Sequence, residues 1–334
     1  MTSVIILNWN TSSYLERFLP GVIASCPDAE IVVADNGSTD GSLETLKRFP
    51  QVRTIALDRN YGFTGGYDRA VPQTGGDYVL LLNSDVETPE GWLKPLEEWM
   101  DAHPDCAACG PKLLKFDARD EFEYAGAAGG YVDRYGFPFC RGRVLSRTEK
   151  DCGQYDEPRE VMWVSGAALM VRRSVWDALG GLDARFFAHM EEIDFCWRAR
   201  RMGYSVWVVP QSRVYHLGGG TLPQTSPWKL ELNYRNNLLL LRNNLPSRTR
   251  FAFRYLLDLG AALGYLLTLK SDYAAAVVRA HRQYRALKGP RAARVKGCVY
   301  GYCEDLLILP LFFLKGKEIF KYLKTYEDSH CRCR

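Results

Sequence analysis

Apolar residues over the first 110 positions come in short unbroken runs, each closed by polar letters. Residues 3–7 run into 8–13, 30–34 into 35–40, 52–57 into 58–60, and 78–82 into Asn83, Ser84 and Asp85. Runs this short and continuous predict strands buried on both faces, as in a parallel sheet. The stretch 14–25 reads as a helix between the first two strands. Strand and helix in alternation predict βαβ units with right-handed crossovers, so the polar strand ends fall on one edge. Open α/β sheets collect ligands just outside that edge.

The polar ends carry a consistent chemistry. Asp35 can accept hydrogen bonds from a base or ribose, while Asn60 with Gly62, Gly65 and Gly66 lets backbone approach a ligand closely. Taken alone, DNGSTDGS also reads as a tight turn and helix cap. Asp85, a carboxylate at a strand end beside an amide, suits a hard divalent cation carrying a phosphorylated substrate. No GxGxxG follows the first strand, where ILNWNTSSY stands, which argues against a Rossmann dehydrogenase.

Beyond residue 160 the pattern changes. A strand over 162–172 is interrupted by Ser165, Gly166 and Ala167, small residues that leave room at the end of a pocket. After a Gly180-Gly181 turn, Glu191, Glu192 and Asp194 enter the first turn of a helix, where acids oppose the macrodipole favourably, and Arg198 lies four residues beyond Asp194. Acids at a helix start with such a pair are common on surfaces. The preceding stretch, 184–190, is too aromatic for an exposed linker. A strand over 205–209 follows, and 212–216 ends at His216 before Leu217, Gly218, Gly219, Gly220 and Thr221. That histidine reads either as structural or as a metal ligand with glycine amides nearby for phosphate oxygens. Arg235, in NYRNNLLLLRNN, reads as a diphosphate clamp or as a salt-bridged helix residue.

With 334 residues, 47% hydrophobic and 13% aromatic, the chain can bury one large domain and carry an extension. The net charge of +4 hides an asymmetry: residues 242–334 hold 18 Lys and Arg against 7 Asp and Glu, and residues 1–241 hold 25 against 32. In the tail, 250–270 and 306–314 are apolar yet shorter than the roughly 20 residues of a spanning helix. Around them lie Arg279, Arg282, Arg285, Lys288, Arg291, Arg294, Lys296, Lys315, Lys317, Lys321 and Lys324, interleaved with Tyr273, Tyr284, Tyr300, Tyr302, Phe312, Phe313 and Tyr322. Basic amphipathic helices with aromatics suit an anionic membrane surface. The alternative is packing on the preceding α/β domain or on a second copy in a homodimer. Nucleic acid is not expected, since no recognised binding motif accompanies the charge. A strand begins at once with no basic and long apolar lead, which predicts a cytoplasmic protein. The ten cysteines are scattered, so disulfides are not expected, and the Cys106, Cys109 pair lacks the second pair or histidines that zinc requires.

The segments VIILNWN, IVVADNGSTDGS, NYGFTGG and LLNSD, in that order, resemble the nucleotide-sugar half of the family 2 inverting glycosyltransferases with a GT-A fold. The rhamnosyltransferase-like branch that builds bacterial surface polysaccharides is the nearest in look. The resemblance continues through 163–221 and covers about the first 240 residues. It implies a GT-A-like α/β catalytic domain over 1–241, its nucleotide-sugar half about 1–110 and its acceptor half about 111–241, followed by a basic helical extension over 242–334. It further implies that Asp35 meets the base and that Asn8 and Asn60 line the donor pocket. Asp85 would close a metal motif whose first acid is here Asn83, and His216 would bind the metal, Mg or Mn. The general base falls at the second acid of the cluster, Glu192, one methylene longer than the Asp usual there, with Glu191 as the fallback and Asp194 orienting backbone or Arg198. The implied donor is a nucleoside-diphosphate sugar of dTDP or UDP type, and the acceptor a glycan or lipid-linked hydroxyl at the inner face of a membrane. Two rivals stay open. A sugar-phosphate nucleotidyltransferase would want a glycine-rich, basic loop after the first strand, which 8–13 lacks. A silent scaffold would fit the Asn83 and Glu192 departures.

Overall fold

A computed structural model describes residues 1–124, 126–218, 226–293, 303 and 305–330. The chain alternates as the hydrophobic runs predict. Strand β1 (Thr2–Asn8) leads to helix α1 (Ser12–Ser25), β2 (Glu30–Asp35) to α2 (Ser42–Leu46), and β3 (Arg53–Ala56) to α3 (Gly62–Ala70). Strand β4 (Tyr78–Asn83) is followed by the two-residue β5 (Val86–Glu87), α4 (Lys94–Ala102) and β6 (Cys106–Lys115). Five small strands come next: β7 (Gly130–Val132), β8 (Pro138–Cys140), β9 (Arg143–Val144), β10 (Arg147–Thr148) and β11 (Arg159–Glu160). Next come β12 (Ala168–Arg172), α5 (Arg173–Leu179), α6 (Glu191–Arg201), β13 (Ser205–His216) and α7 (Pro227–Asn244). The tail is helical, with α8 (Arg248–Leu267), α9 (Ser271–Leu287), α10 (Ile308–Lys315) and α11 (Ile319–His330).

Among the described residues the main sheet has nine strands in the order β11-β13-β6-β12-β4-β1-β2-β3, with β5 paired to β13. The half from β4 to β3 is parallel, and β12 runs antiparallel between β4 and β6. Two apolar clusters fill its faces, one around Ile5, Val32, Leu81 and Tyr67 with the α5–α7 side, the other around Val4, Leu80, Leu15 and Leu96. Continuous burial of Val79 through Leu82 is why that run carries no polar alternation.

Register positions the edge. Asn8 lies opposite Asp35 and Leu7 opposite Asn83, so three polar strand ends sit side by side. The antiparallel pairing of Val86 with His216 then brings the end of β13 to the same place from 130 residues away. The strand anticipated over 162–172 begins only at Ala168. Before it the chain turns, with the Ala167 amide donating to Ser165 Oγ at 3.2 Å.

The tail is tied to the preceding part of the chain. Helices α8 and α9 pack on each other and on α7. Glu327 of α11 accepts from Tyr131 Oη at 2.7 Å and meets Arg141 Nε at 2.9 Å. No helix among the described residues is long and apolar enough to cross a membrane. The seven cysteines described, Cys26 to Cys303, are free thiols. Arg294, Lys296, Tyr300 and Tyr302, counted in the basic tail, and Cys298, Cys331 and Cys333 lie outside the described residues.

Candidate active site

The edge of β1 and β2 is a closed polar network. Asn8 Nδ2 donates to Asp35 Oδ2 at 2.8 Å, and the Ser38 amide donates to Asp35 Oδ1 at 2.9 Å. Thr11 Oγ1 donates to Asn8 Oδ1 at 2.6 Å and meets Ser84 Oγ at 3.1 Å, which links the β1 and β4 ends. Asn8 and Asp35 are almost completely buried, so the network sets the shape of the edge as well as its polarity.

Asn60 closes the neighbouring turn. Its Oδ1 accepts from the Gly62 amide at 2.7 Å and from Asn36 Nδ2 at 3.1 Å, while the Tyr61 amide donates to Asn36 Oδ1. The nearby glycines serve protein packing. Gly62 sits at φ +73°, and a Cβ there would come within 2.5 Å of the Phe187 ring and 2.6 Å of its carbonyl oxygen. A Cβ on Gly66 would run into the Leu7 side chain. Close approach is real at both, with Phe187 and Leu7 as the approaching groups.

Asp85 and His216 come together. His216 Nε2 is 3.1 Å from Asp85 Oδ1 and 3.5 Å from Asn83 Nδ2, and both Asp85 and His216 are buried. On the other ring nitrogen, Nδ1 lies 3.4 Å from Glu123 Oε1. Burial opposes charging of His216, but hydrogen bonds to Asp85 and Glu123 and their negative charge overcome it, pushing the pKa up to about 10. Burial likewise works against the Asp85 carboxylate, yet His216 holds its pKa below the ordinary value. The ring proton therefore balances the buried Asp85 carboxylate, and a cation bound by both side chains would displace it, since a ligating imidazole is neutral. Among the described residues no three His, Cys, Asp or Glu side chains are arranged to hold one metal ion. The reason is the intervening ring: Glu123 and Asp85 stand at opposite nitrogens. The Asp85 and His216 pair nevertheless fits a cation, since two adjacent ligands each about 2.1 Å from a six-coordinate ion lie about 3.0 Å apart. Gly219, Gly220 and Thr221, expected beside His216, lie outside the described residues.

The acidic cluster opens α6 after an unusual loop. Phe187, His189 and Met190 all have positive φ, at +64°, +73° and +70°, a run that non-glycine residues rarely adopt. The loop is held from α7. Asn236 Nδ2 donates to the carbonyls of Ala188 and His189, each at 2.7 Å, and of Phe186 at 3.0 Å. Arg235 Nη2 donates to the same Phe186 carbonyl at 2.6 Å, its Nε to Asn236 Oδ1, and its Nη1 to Gln283 of α9. The buried Arg235 guanidinium thus ties the loop to α7 and α9.

Directly after this loop, Glu192 packs beside Gly166, where an added Cβ would meet Glu192 Cβ at 3.6 Å and the Phe63 ring at 3.4 Å. The small residues at 165–167 make that room. Burial pushes the Glu192 pKa up to about 7 despite backbone amides at the helix start. Burial and the Glu192 charge raise Glu191 well above the carboxylate range. Glu191 Oε2, Glu192 Oε2 and His189 Nε2 are buried without a hydrogen-bond partner. Burial and the Lys229 charge push His189 down to about 4, so it is neutral at physiological pH. Asp194 does different work: it accepts from Arg198 Nε at 2.7 Å, Asn243 Nδ2 at 2.9 Å and Asn244 Nδ2 at 2.8 Å, locking α6 to α7.

Glu123 and Asn236 escape a reading of the sequence. Glu123 sits in an irregular stretch without a motif, and Asn236 is one asparagine of five in its helix. Both act through contacts made across more than 45 residues.

Residues 3–179 match Glycosyl transferase family 2. The chain is 25% identical over 285 residues to an N-acetylglucosaminyl-diphospho-decaprenol L-rhamnosyltransferase of Mycobacterium tuberculosis, covering 80% of this chain and 93% of that protein. It is 24% identical over 228 residues to the dTDP-rhamnosyl transferase RfbF of Shigella flexneri, covering 64% and 71%. Among solved structures, GalNAc-T7 with UDP, GalNAc and Mn2+ superposes with a TM-score of 0.57 at 21% identity, over 72% of this chain and 48% of that one. At that identity the likeness is one of fold, and the fold is GT-A.

Proposed function

Because the chain belongs to glycosyl transferase family 2, we propose that it is a metal-dependent inverting transferase that moves a rhamnosyl or related hexosyl unit from a dTDP- or UDP-sugar to a hydroxyl of a lipid-linked glycan acceptor. The observation that carries the reading is one edge holding two kinds of group. The Asp85 and His216 pair is spaced for a cation, and Glu192 is a buried carboxylate with an orphaned oxygen and a pKa of about 7. Orphaned buried polar atoms at a cleft are groups that a ligand satisfies.

In this reading Asp35, Asn8 and Asn60 shape the nucleotide end of the edge, and Glu192 faces the acceptor. Glu192 takes the proton of the acceptor hydroxyl as its oxygen attacks the anomeric carbon. The bond from that carbon to the diphosphate breaks on the opposite face, so the configuration inverts in one displacement. A carboxylate with a pKa near 7 is ionised often enough to accept a proton and basic enough to hold it. A divalent Mg or Mn ion held by Asp85 and His216 would neutralise the departing nucleoside diphosphate. Lys229, near enough to feel both the Glu123 and the Arg143 charge, adds positive charge on that side. The rhamnosyl choice and the lipid-linked acceptor are supported by what the two relatives are called. Such an acceptor is amphiphilic, which agrees with a chain working at the inner face of a membrane.

Release of free nucleoside diphosphate from a panel of dTDP-, UDP- and GDP-sugars, with an acceptor bearing a lipid diphosphate, tests the reading. Turnover should appear with a deoxyhexosyl or hexosyl donor and vanish with chelator or in Asp85→Ala. Undiminished turnover of Asp85→Ala in chelator would overturn the metal assignment. Formation of nucleotide-sugar from sugar phosphate would favour a nucleotidyltransferase instead.

A further inference from the structure

Helix α8 exposes a stripe of leucines to solvent. Leu256, Leu259, Leu263, Leu266 and Leu267 are 46–77% exposed. At about 100° per residue their spacings of 3, 4, 3 and 1 place all five within an arc of about 100° on one side of the helix. The opposite side buries Arg254, Asp258 and Ala262. Asp258 is paired there with Arg254 and, at 3.2 Å, with His281 of α9, so its charge does not reach the surface. Residues that expose this much leucine along one line mark a surface that something else covers.

Charge identifies the occupant. Residues 248–288, the span of α8 and α9, contain eight Lys and Arg and two Asp. Arg248 and Lys270 stand exposed at the two ends of α8, and Arg282 and Arg285 are exposed on α9 with Val278 beside them. Arg285 also bonds the hydroxyl of Tyr255, next to the stripe. An apolar stripe parallel to the helix axis with a cationic rim is the pattern of a helix lying in the plane of an anionic bilayer, leucines in the acyl boundary and Arg and Lys on the phosphates. A second copy of this chain would set one cationic rim against another.

We propose that α8 is the membrane anchor of this protein and docks flat on an anionic bilayer through these five leucines. The proposal rests on the lipid-linked acceptor read above for its purpose, and on the exposed stripe for its substance. The anchor stands two helices from the chemistry, since α8 and α9 pack on α7, whose Asn236 and Arg235 hold the loop that delivers Glu192.

Co-sedimentation of the full chain with vesicles tests it without donor, acceptor or turnover, so its outcome is separate from that of the transferase reading. The wild type should pellet with phosphatidylglycerol vesicles, pellet at least ten-fold less with phosphatidylcholine vesicles, and lose binding as salt is raised. Leu259→Asp with Leu263→Asp, both already in water, should keep the wild-type melting temperature and lose at least ten-fold in vesicle binding. Equal binding of the variant, or equal binding to neutral vesicles, overturns the proposal. So does a wild type that elutes as a dimer, ignores vesicles, and becomes monomeric in the variant, which would give the stripe to a second copy.

Discussion

Replacing Glu192 by Gln keeps the size of the side chain and removes its basicity, and the structure fixes two separate consequences. The first is kinetic: loss of a general base costs on the order of 100-fold to 10,000-fold in rate. The second is thermodynamic. Unfolded, this carboxyl titrates near 4.5, and burial beside Gly166 and Phe63 moves it to about 7 in the folded protein. Between those values the folded state binds more protons than the unfolded one, so stability falls as pH rises from about 4.5 to about 7 and stays lower above that. The cost of the ionised form is at most about 3 kcal/mol. At pH 8 the Gln variant should therefore melt several degrees higher than wild type while turning over far more slowly, and at pH 4 the two melting temperatures should converge. Melting curves from pH 4 to 8.5, with nucleoside diphosphate release at pH 8, read both effects. Donor affinity should be unchanged, since the proposed donor contacts lie at the β1, β2 and β4 ends. A Gln variant with a near-normal rate and an unchanged melting profile refutes the assignment. If Glu191→Gln alone loses the rate, the two glutamates exchange roles.

Two further outcomes follow from contacts described above. Asn236→Ala removes the donor shared by the carbonyls of Phe186, Ala188 and His189. A displacement of about 1 Å at the base can cost on the order of 100-fold, so kcat should fall by roughly ten-fold to 100-fold with donor Kd intact by calorimetry. Glu327→Ala takes the carboxylate from the Arg141 guanidinium, whose side chain is 9% exposed, and from the Tyr131 hydroxyl, leaving the Arg141 charge without its ion pair, and should cost about 3 kcal/mol in chemical denaturation; a loss below about 1 kcal/mol would mean that α11 contributes no more than a surface helix.

The polar ends of β1, β2 and β4 are legible in the sequence for a definite reason. Each strand there is a continuous apolar run, so the position of its polar end is a local property, and parallel register then lines the ends up without further information. Asn8, Asp35, Asn83 and Asp85 are found this way, and the acidic opening of α6 is found from the helix start signal. The roles of glycine are not legible in the same way. Gly62 and Gly66 announce close approach, but the letters do not say whether the approaching group is a ligand or the Phe187 and Leu7 side chains that occupy those places.

The loop that precedes α6 resists reading because its geometry is set by contacts between distant segments. Three residues in a stretch of four, Phe187, His189 and Met190, hold positive φ without a glycine, so no local preference predicts them. The conformation persists because Asn236 and Arg235 satisfy its carbonyls from another helix. The same helix bonds Asp194 through Asn243 and Asn244, fixing the axis on which Glu192 rides. Local strain at the loop and desolvation of Glu191 and Glu192 are both unfavourable, and they are offset by this asparagine and arginine scaffold rather than by anything in the cluster itself. An acid of raised pKa can therefore be held at the cleft only while α7 stays in place, and α7 is held in turn by α8 and α9. The basic tail, which by composition looks like an appendage, is in this way part of the support of the proposed base.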